Sequence, residues 1–350
     1  MRYTVVALLL AVTAGGAMAA EILSAADASV LLKKIATASR KQSYSGSYLH
    51  QHGAELATFR VAHVSDAEGE LEKREPLEGA ARELIRNNGQ VSCYLPEPPA
   101  NPAEVKRHAL MKQFPALLND DSVESSGYYS VKHLPNERVA GVDCQVLLLD
   151  PKDNLRYGHK LWFDASTGLL LKAATLNARR EIVEQFAFTE VSVGSIERKN
   201  LKPRFAHRVD IFTPDKNRPD NARPRFDSGW EVRTIPAGYK VVRESKVAVG
   251  NNLTRVSHLW LSDGWGAVSV FIEAAQPAAA EPGQTKAPAV DSVRGPASPA
   301  GVLVSQGVVN VVSRNSPEAS VVVMGDVPET VVTTIAASVA PRPQKTAASQ

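Results

Sequence analysis

Residues 156 to 191 read RYGHKLWFDASTGLLLKAATLNARREIVEQFAFTEV, with apolar-rich runs from Leu161, Leu169 and Ile182. Asp164-Ala165-Ser166-Thr167-Gly168 and Asn177-Ala178-Arg179-Arg180 separate them. Turn residues at such short intervals leave room only for hairpins, so the three runs are expected as neighbouring antiparallel strands of one sheet. A sheet this apolar needs material to cover it.

The chain around this block has 350 residues, and a prior of roughly 150 residues per domain points to two domains. Its first residues set Arg2 before an unbroken apolar run, Val5 to Val12, and end in Ala17-Met18-Ala19. That is the order of a cleaved secretory signal, with cleavage expected near Ala19. The run is shorter than the about 20 apolar residues of a membrane anchor, and no second candidate span follows. Ala20 and Glu21, not a lipid-accepting cysteine, stand directly after the cleavage site, so the mature protein is expected to be exported and soluble.

Lys and Arg total 40 against 37 Asp and Glu, and loss of the leader with Arg2 narrows that excess further. Phosphate binding wants a concentrated basic face, whereas these cations are spread along the chain, so no nucleic-acid partner is expected. Only Cys93 and Cys144 are present. Export permits a disulfide between them, but their strand-like surroundings fit buried free thiols equally, and the two readings stay open.

After the signal (1–19), apolar residues recur at helical spacing from Ala25 to Arg40 behind Ser24 and Asp27, the pattern of a capped helix. Tyr44 to Tyr48 and Leu56 to Val64 alternate as strands around His52-Gly53. The stretch Asp66 to Glu83, with Glu68, Glu70, Glu72, Glu75 and Glu78 among opposite charges, is expected as a solvated loop. Asn87-Asn88-Gly89 signals a tight hairpin. Four prolines between Pro96 and Pro102 end the first run of strands. Short helices are expected within Val105 to Leu118, then further strands. The fold class is α+β, mostly antiparallel β: a large N-terminal sheet unit over 20–197, a linker over 198–225, and a smaller sheet-rich domain over 226–340. An Ala/Pro-rich insertion at 277–301 is expected to be disordered, a final helix spans Pro328 to Val339, and 341–350 is a tail.

No nucleophile elbow, phosphate loop or His-Glu-x-x-His pattern is present, so no enzyme activity and no cofactor are expected. His50 and His52 would share one face of a strand, but no third ligand at fixed spacing joins them, so no metal is expected. Arg82 and Arg86, four apart on a presumed strand, could grip an anionic group. Tyr44 with Tyr48, Leu161 with Phe163, and Phe186 with Phe188 share strand parity, which puts each pair on one face. Besides packing, they are candidates to line an apolar cavity on the order of several hundred Å³.

YSGSYLHQHG, LEGAARELIRNNGQVSCYLP, the opening block, WEVRTIPAGYKVV, HLWLSDGWGAVSVFIE and VVVMGDVPETVVTTIA follow one another in the order of a known pattern. The mature chain resembles the MucB/RseB family, departing from it at the 277–301 insertion. The resemblance implies an N-terminal half-barrel like the lipoprotein carriers LolA and LolB, with helices over its concave face. It also implies a periplasmic negative regulator of the envelope-stress response. Such a protein binds the periplasmic domain of an anti-sigma factor of RseA/MucA type, shields it from a site-one protease, and is released by lipopolysaccharide or mislocalised lipid. Tyr239 and Trp265 are then candidates for client contact, with Trp260 assigned to the core. The alternative is a periplasmic lipid or lipoprotein carrier of LolA type, which has no need of the second domain. Oligomeric state stays open, a homo-oligomer included.

Overall fold

The computed structural model describes residues 21–102, 105, 112–212, 226–249, 254–275 and 301–343. The expected leader, most of the 277–301 insertion, the linker residues 213–225, the tail beyond 343 and part of the Val105 to Leu118 segment lie outside them.

The N-terminal unit contains β1 (Glu21–Ile22), α1 (Ala25–Lys41), β2 (Tyr44–His52), β3 (Glu55–Asp66), β4 (Gly69–Pro76), β5 (Glu83–Asn87) and β6 (Gln90–Leu95). After a crossing segment come α2 (Asp120–Glu124), β7 (Tyr129–Val139), β8 (Val142–Pro151), β9 (Gly158–Asp164), β10 (Leu170–Leu176), β11 (Ile182–Val193) and β12 (His207–Phe212). All twelve strands form one sheet in the order β1-β7-β8-β9-β10-β11-β2-β3-β4-β5-β6-β12. It is two meanders joined where β11 pairs antiparallel with β2, Phe186 opposite His50 and Phe188 opposite Tyr48. The Leu161, Leu169 and Ile182 runs are β9, β10 and β11, as their turn spacing requires. At the β5–β6 turn Asn88 and Gly89 take φ of 47° and 85°, the left-handed pair a two-residue hairpin demands.

Ser24 caps α1, its hydroxyl accepting from the Asp27 amide at 3.2 Å, which satisfies one of the donors a helix start leaves free. Ala28, Leu32, Ile35 and Ala36 of α1 pack into one apolar core with Tyr44, Tyr48, Phe114, Leu161, Phe163, Phe186 and Phe188.

Two expectations change. The Asp66 to Glu83 segment is not a solvated loop, because β4 occupies its centre and pairs on both sides, with β3 and β5. Its charges are neutralised in place: Lys73 reaches Glu83 at 2.7 Å on one face, and Arg74 and Arg86 each hold Glu72 at 2.8 Å on the other. The expected linker is likewise structured at its start. Arg198 binds Asp66 at 2.8 Å, Arg204 binds Glu83 at 2.7 Å and also Glu75, and β12 extends the sheet beside β6.

The second unit has β13 (Trp230–Val232), β14 (Lys240–Val249), β15 (Thr254–Ser262), β16 (Ala267–Ala274), β17 (Val302–Gln306), β18 (Val309–Asn315), β19 (Ala319–Gly325), α3 (Glu329–Ser338) and β20 (Val339–Pro341). Its main sheet runs β14-β15-β16-β19-β18-β17, and β13 pairs with β20 beside it. Val331, Val332, Ile335 and Ala336 of α3 cover one face, joining Leu259, Leu261, Val270, Val312 and Val323 in a second core. The architecture is the expected α+β, mostly antiparallel one.

Candidate functional site

An open cavity of about 350 Å³ lies over the β2–β6 half of the large sheet, lined among others by Tyr48, Phe59, Pro76, Leu84, Cys93, Leu95 and Phe186. Strand parity builds it: Tyr48 faces Phe59, Phe59 faces Pro76, and Leu84 faces Cys93 across successive ladders, so their side chains emerge on one side. Elsewhere the expected trough is filled. Tyr44, Leu161, Phe163 and Phe188 are fully buried under α1 and Phe114 and do not reach the cavity. Of the six candidate lining residues, only Tyr48 and Phe186 line it. Parity identified the face; the depth of cover depended on a helix and a loop far off in sequence.

Among the described residues, two guanidinium groups border the cavity, Arg74 and Arg82. Arg82 is half-buried and makes no salt bridge among the described residues. Arg86, its expected partner in gripping an anion, is instead committed to Glu72 at 2.8 Å and does not line the cavity. Arg74, on β4, borders the cavity but is committed to Glu72 at 2.8 Å in the same way. It donates to the carbonyls of Lys112 at 3.2 Å and Phe114 at 3.1 Å, pinning the segment that roofs the sheet. Burial opposes the charge on Glu72, yet Arg74 and Arg86 hold its carboxyl below the ordinary range. Burial also pushes the Tyr48 phenol up to about 12, so Tyr48 stays neutral. Cys93 and Cys144 are both free and buried.

The domains meet along a polar and aromatic seam. Arg156, on the β8–β9 connection, pairs with Asp263 at 3.0 Å with both side chains almost wholly enclosed. Its guanidinium also stacks on Tyr128 at 4.0 Å from the ring centre. Trp265 lies on His159 at 4.5 Å between ring centres and donates to the Ser122 carbonyl at 2.9 Å. The Tyr239 hydroxyl donates to the Leu155 carbonyl at 3.0 Å, and Tyr239 is only 7% exposed. The two residues expected to hold a client thus hold the protein's own domains together. Trp260, assigned to the core, is 39% exposed. The parity of β15 explains this: Leu259 and Leu261 point under α3, and Trp260 points to the uncovered face in line with Ser269 and Met324.

That uncovered face forms one wall of an interdomain cleft of about 960 Å³. Ala267, Ser269, Val308, Val309, Met324 and Asp326 stand on one side and His50, His52, Glu55, Leu56, Ala57, Lys112 and Glu184 on the other. Lys112 bridges it, with Glu184 at 2.6 Å and Asp326 at 3.0 Å. Burial would raise the Glu184 carboxyl, but hydrogen bonding to His50 and the charge of Lys112 hold it at about 2. His50 and Lys112 line both the cavity and the cleft.

No helix among the described residues is long and apolar enough to cross a membrane. An apolar cavity with a cationic border thus shares a wall with an interdomain cleft. The chain belongs to the MucB/RseB family: the model of the family's N-terminal domain matches residues 27–205 and that of its C-terminal domain residues 224–340. Among its relatives, the sigma factor AlgU regulatory protein MucB of Pseudomonas aeruginosa is 28% identical over 274 residues, 78% of this chain and 81% of the relative. The sigma-E factor regulatory protein RseB of Escherichia coli K12 is 22% identical over 261 residues, 72% of this chain and 77% of the relative. The crystal structure of MucB in complex with periplasmic MucA has the same fold, with a TM-score of 0.67 at 24% identity. The match covers 90% of this chain and 99% of that one.

Proposed function

We propose that this protein is a periplasmic negative regulator of an envelope-stress response. It binds the periplasmic domain of a membrane anti-sigma factor of RseA/MucA type in the interdomain cleft and shields it from site-one proteolysis. It lets go when lipopolysaccharide or mislocalised lipid enters the N-terminal cavity. Family relatives named as sigma-factor regulators, and a MucB solved with the periplasmic part of MucA, support the reading.

The single observation that carries it is the wall common to both spaces. An acyl chain in the cavity lies against Tyr48 and Phe186, with its anionic group toward Arg82; His50 and Lys112 at the same wall face the cleft. A ligand shifts an equilibrium only by its differential affinity for the two states, and the shift is reciprocal. A client segment laid along Trp260, Ser269 and Met324 would therefore weaken lipid binding as much as lipid weakens client binding. A lipid carrier alone would have no use for the cleft.

The test is retention of the anti-sigma factor's periplasmic domain on the immobilised mature protein, with and without lipopolysaccharide. Retention that lipid releases is expected. No retention without lipid would refute the regulator, and retention indifferent to lipid would remove the sensor.

A further inference from the structure

His50 and His52 share a face of β2, and β11 places Glu184 directly opposite His52. The Glu184 Oε1 lies 3.2 Å from His50 Nε2 and 3.7 Å from His52 Nδ1. One ligand atom from each of the three residues falls within 4.8 Å of the others. Ligand atoms about 2.0 to 2.1 Å from a tetrahedral zinc ion are about 3.3 Å apart, so the cluster needs only small rotamer shifts to close on a cation. We propose that His50, His52 and Glu184 form a binding site for one zinc-class divalent cation at the wall of the interdomain cleft.

The donor set of two imidazoles and one carboxylate, leaving a fourth position to water or an incoming side chain, is that of open zinc sites. Imidazole with carboxylate also selects against calcium and magnesium, which prefer oxygen throughout. Two neighbours frame the ligands. His50 stacks on Phe186 with ring centres 4.1 Å apart and planes 6° from parallel, which fixes its orientation. Gly307, in the β17–β18 turn of the other domain, comes so near that a Cβ there would meet His52 Nε2 at 2.8 Å. His52 is thus backed by the C-terminal domain, while all three ligands are supplied by the β2–β11 ladder of the N-terminal one.

Lys112 is the resident cation of this carboxylate, its Nζ 2.6 Å from Glu184 Oε2. A bound ion takes Oε1 and competes for the same charge, leaving Lys112 to Asp326, which it already contacts at 3.0 Å. Loading therefore exchanges one cation for another at the wall shared by cavity and cleft. The three ligands come together whether or not a client occupies the cleft.

The experiment is titration of the untagged, metal-free mature protein with Co²⁺, followed by visible absorption, and with Zn²⁺, followed by calorimetry and thermal unfolding. One equivalent of cobalt with a tetrahedral or five-coordinate spectrum and no thiolate charge-transfer band is expected, together with a zinc-dependent rise in Tm. His52→Ala, at a partly exposed position, and His50→Gln should each weaken zinc by at least about tenfold, as loss of groups that hold a metal does. Circular dichroism reports whether each variant stays folded. Absence of saturable one-to-one binding, binding unchanged in both variants, or a thiolate band implicating Cys93 or Cys144 would each overturn the site.

Discussion

Glu72 keeps its negative charge at a position 3% exposed only because Arg74 and Arg86 meet its two oxygens at 2.8 Å each. Removing one member of a buried ion group strands the rest, at about 3 to 5 kcal/mol. Glu72→Ala should lose about that much in urea unfolding, while Glu68→Ala, on the adjoining turn, should stay within about 0.5 kcal/mol of wild type. Arg82 and Arg86 separate in the same way. Arg82 borders the cavity without a salt bridge among the described residues, and Arg86 is neutralised, so Arg82→Ala should weaken binding of an anionic lipid by about tenfold, the size of one charge-assisted hydrogen bond. Arg86→Ala should act on stability instead; lipid titration and unfolding of both variants check the pair. At this scale the sequence revealed which aromatics share a face and concealed which of them stay open. Phe186 and Phe163 look alike in the chain and both join the core, but only Phe186 also lines the cavity; Phe163→Ala should cost about 3 to 5 kcal/mol.

Among the elements, the β9–β10–β11 meander was legible because its turns are written in Asp, Ser, Gly and Asn between apolar runs. Strand β4, GELEKREP, was not. Its inward side chains are charged, and hydropathy takes a buried ion pair for a solvated surface. The clue was the order of signs: Glu72 and Arg74 share one face, Lys73 and Glu75 the other, so each face carries both charges. The seam is also built from separate elements, α2, the β8–β9 connection and the β15–β16 turn. His159, stacked there on Trp265 with Tyr129 tilted against it, feels the charges of Lys112 and Glu184. Burial, aided by Lys112, pushes its imidazole down to about 3 from an ordinary 6.5. As pH falls from 6.5 toward 3 the unfolded chain takes up a proton that the folded one refuses, so stability is lost across that window. His159→Phe keeps a ring against Trp265 and cannot titrate. Its unfolding free energy should depend less steeply on pH than that of wild type between 6.5 and 4, and equal slopes would contradict the assignment.

For the molecule as a whole, two domains were foreseeable from length and from the second set of strands, but their contact was not. Trp265 and Tyr239 read as exposed because nothing near them in sequence covers them; their cover comes from Ser122, His159 and Leu155 of the other domain. The same closure sets Ser269 and Met324 across a cleft from His52 and Leu56, and gives cavity and cleft a common wall at His50 and Lys112. Coupling of about 1 to 3 kcal/mol through that wall, or 5- to 150-fold in affinity, suffices for a graded release. The most direct measurement is fluorescence anisotropy of a labelled anti-sigma periplasmic domain on the mature protein during lipopolysaccharide titration, for wild type and for Ala81→Trp, which fills the cavity from its exposed rim. Client affinity should be alike in both without lipid, and should fall at least about fivefold with lipid in wild type only. An equal fall in both proteins, or none in wild type, would contradict the claim that the cavity governs the cleft.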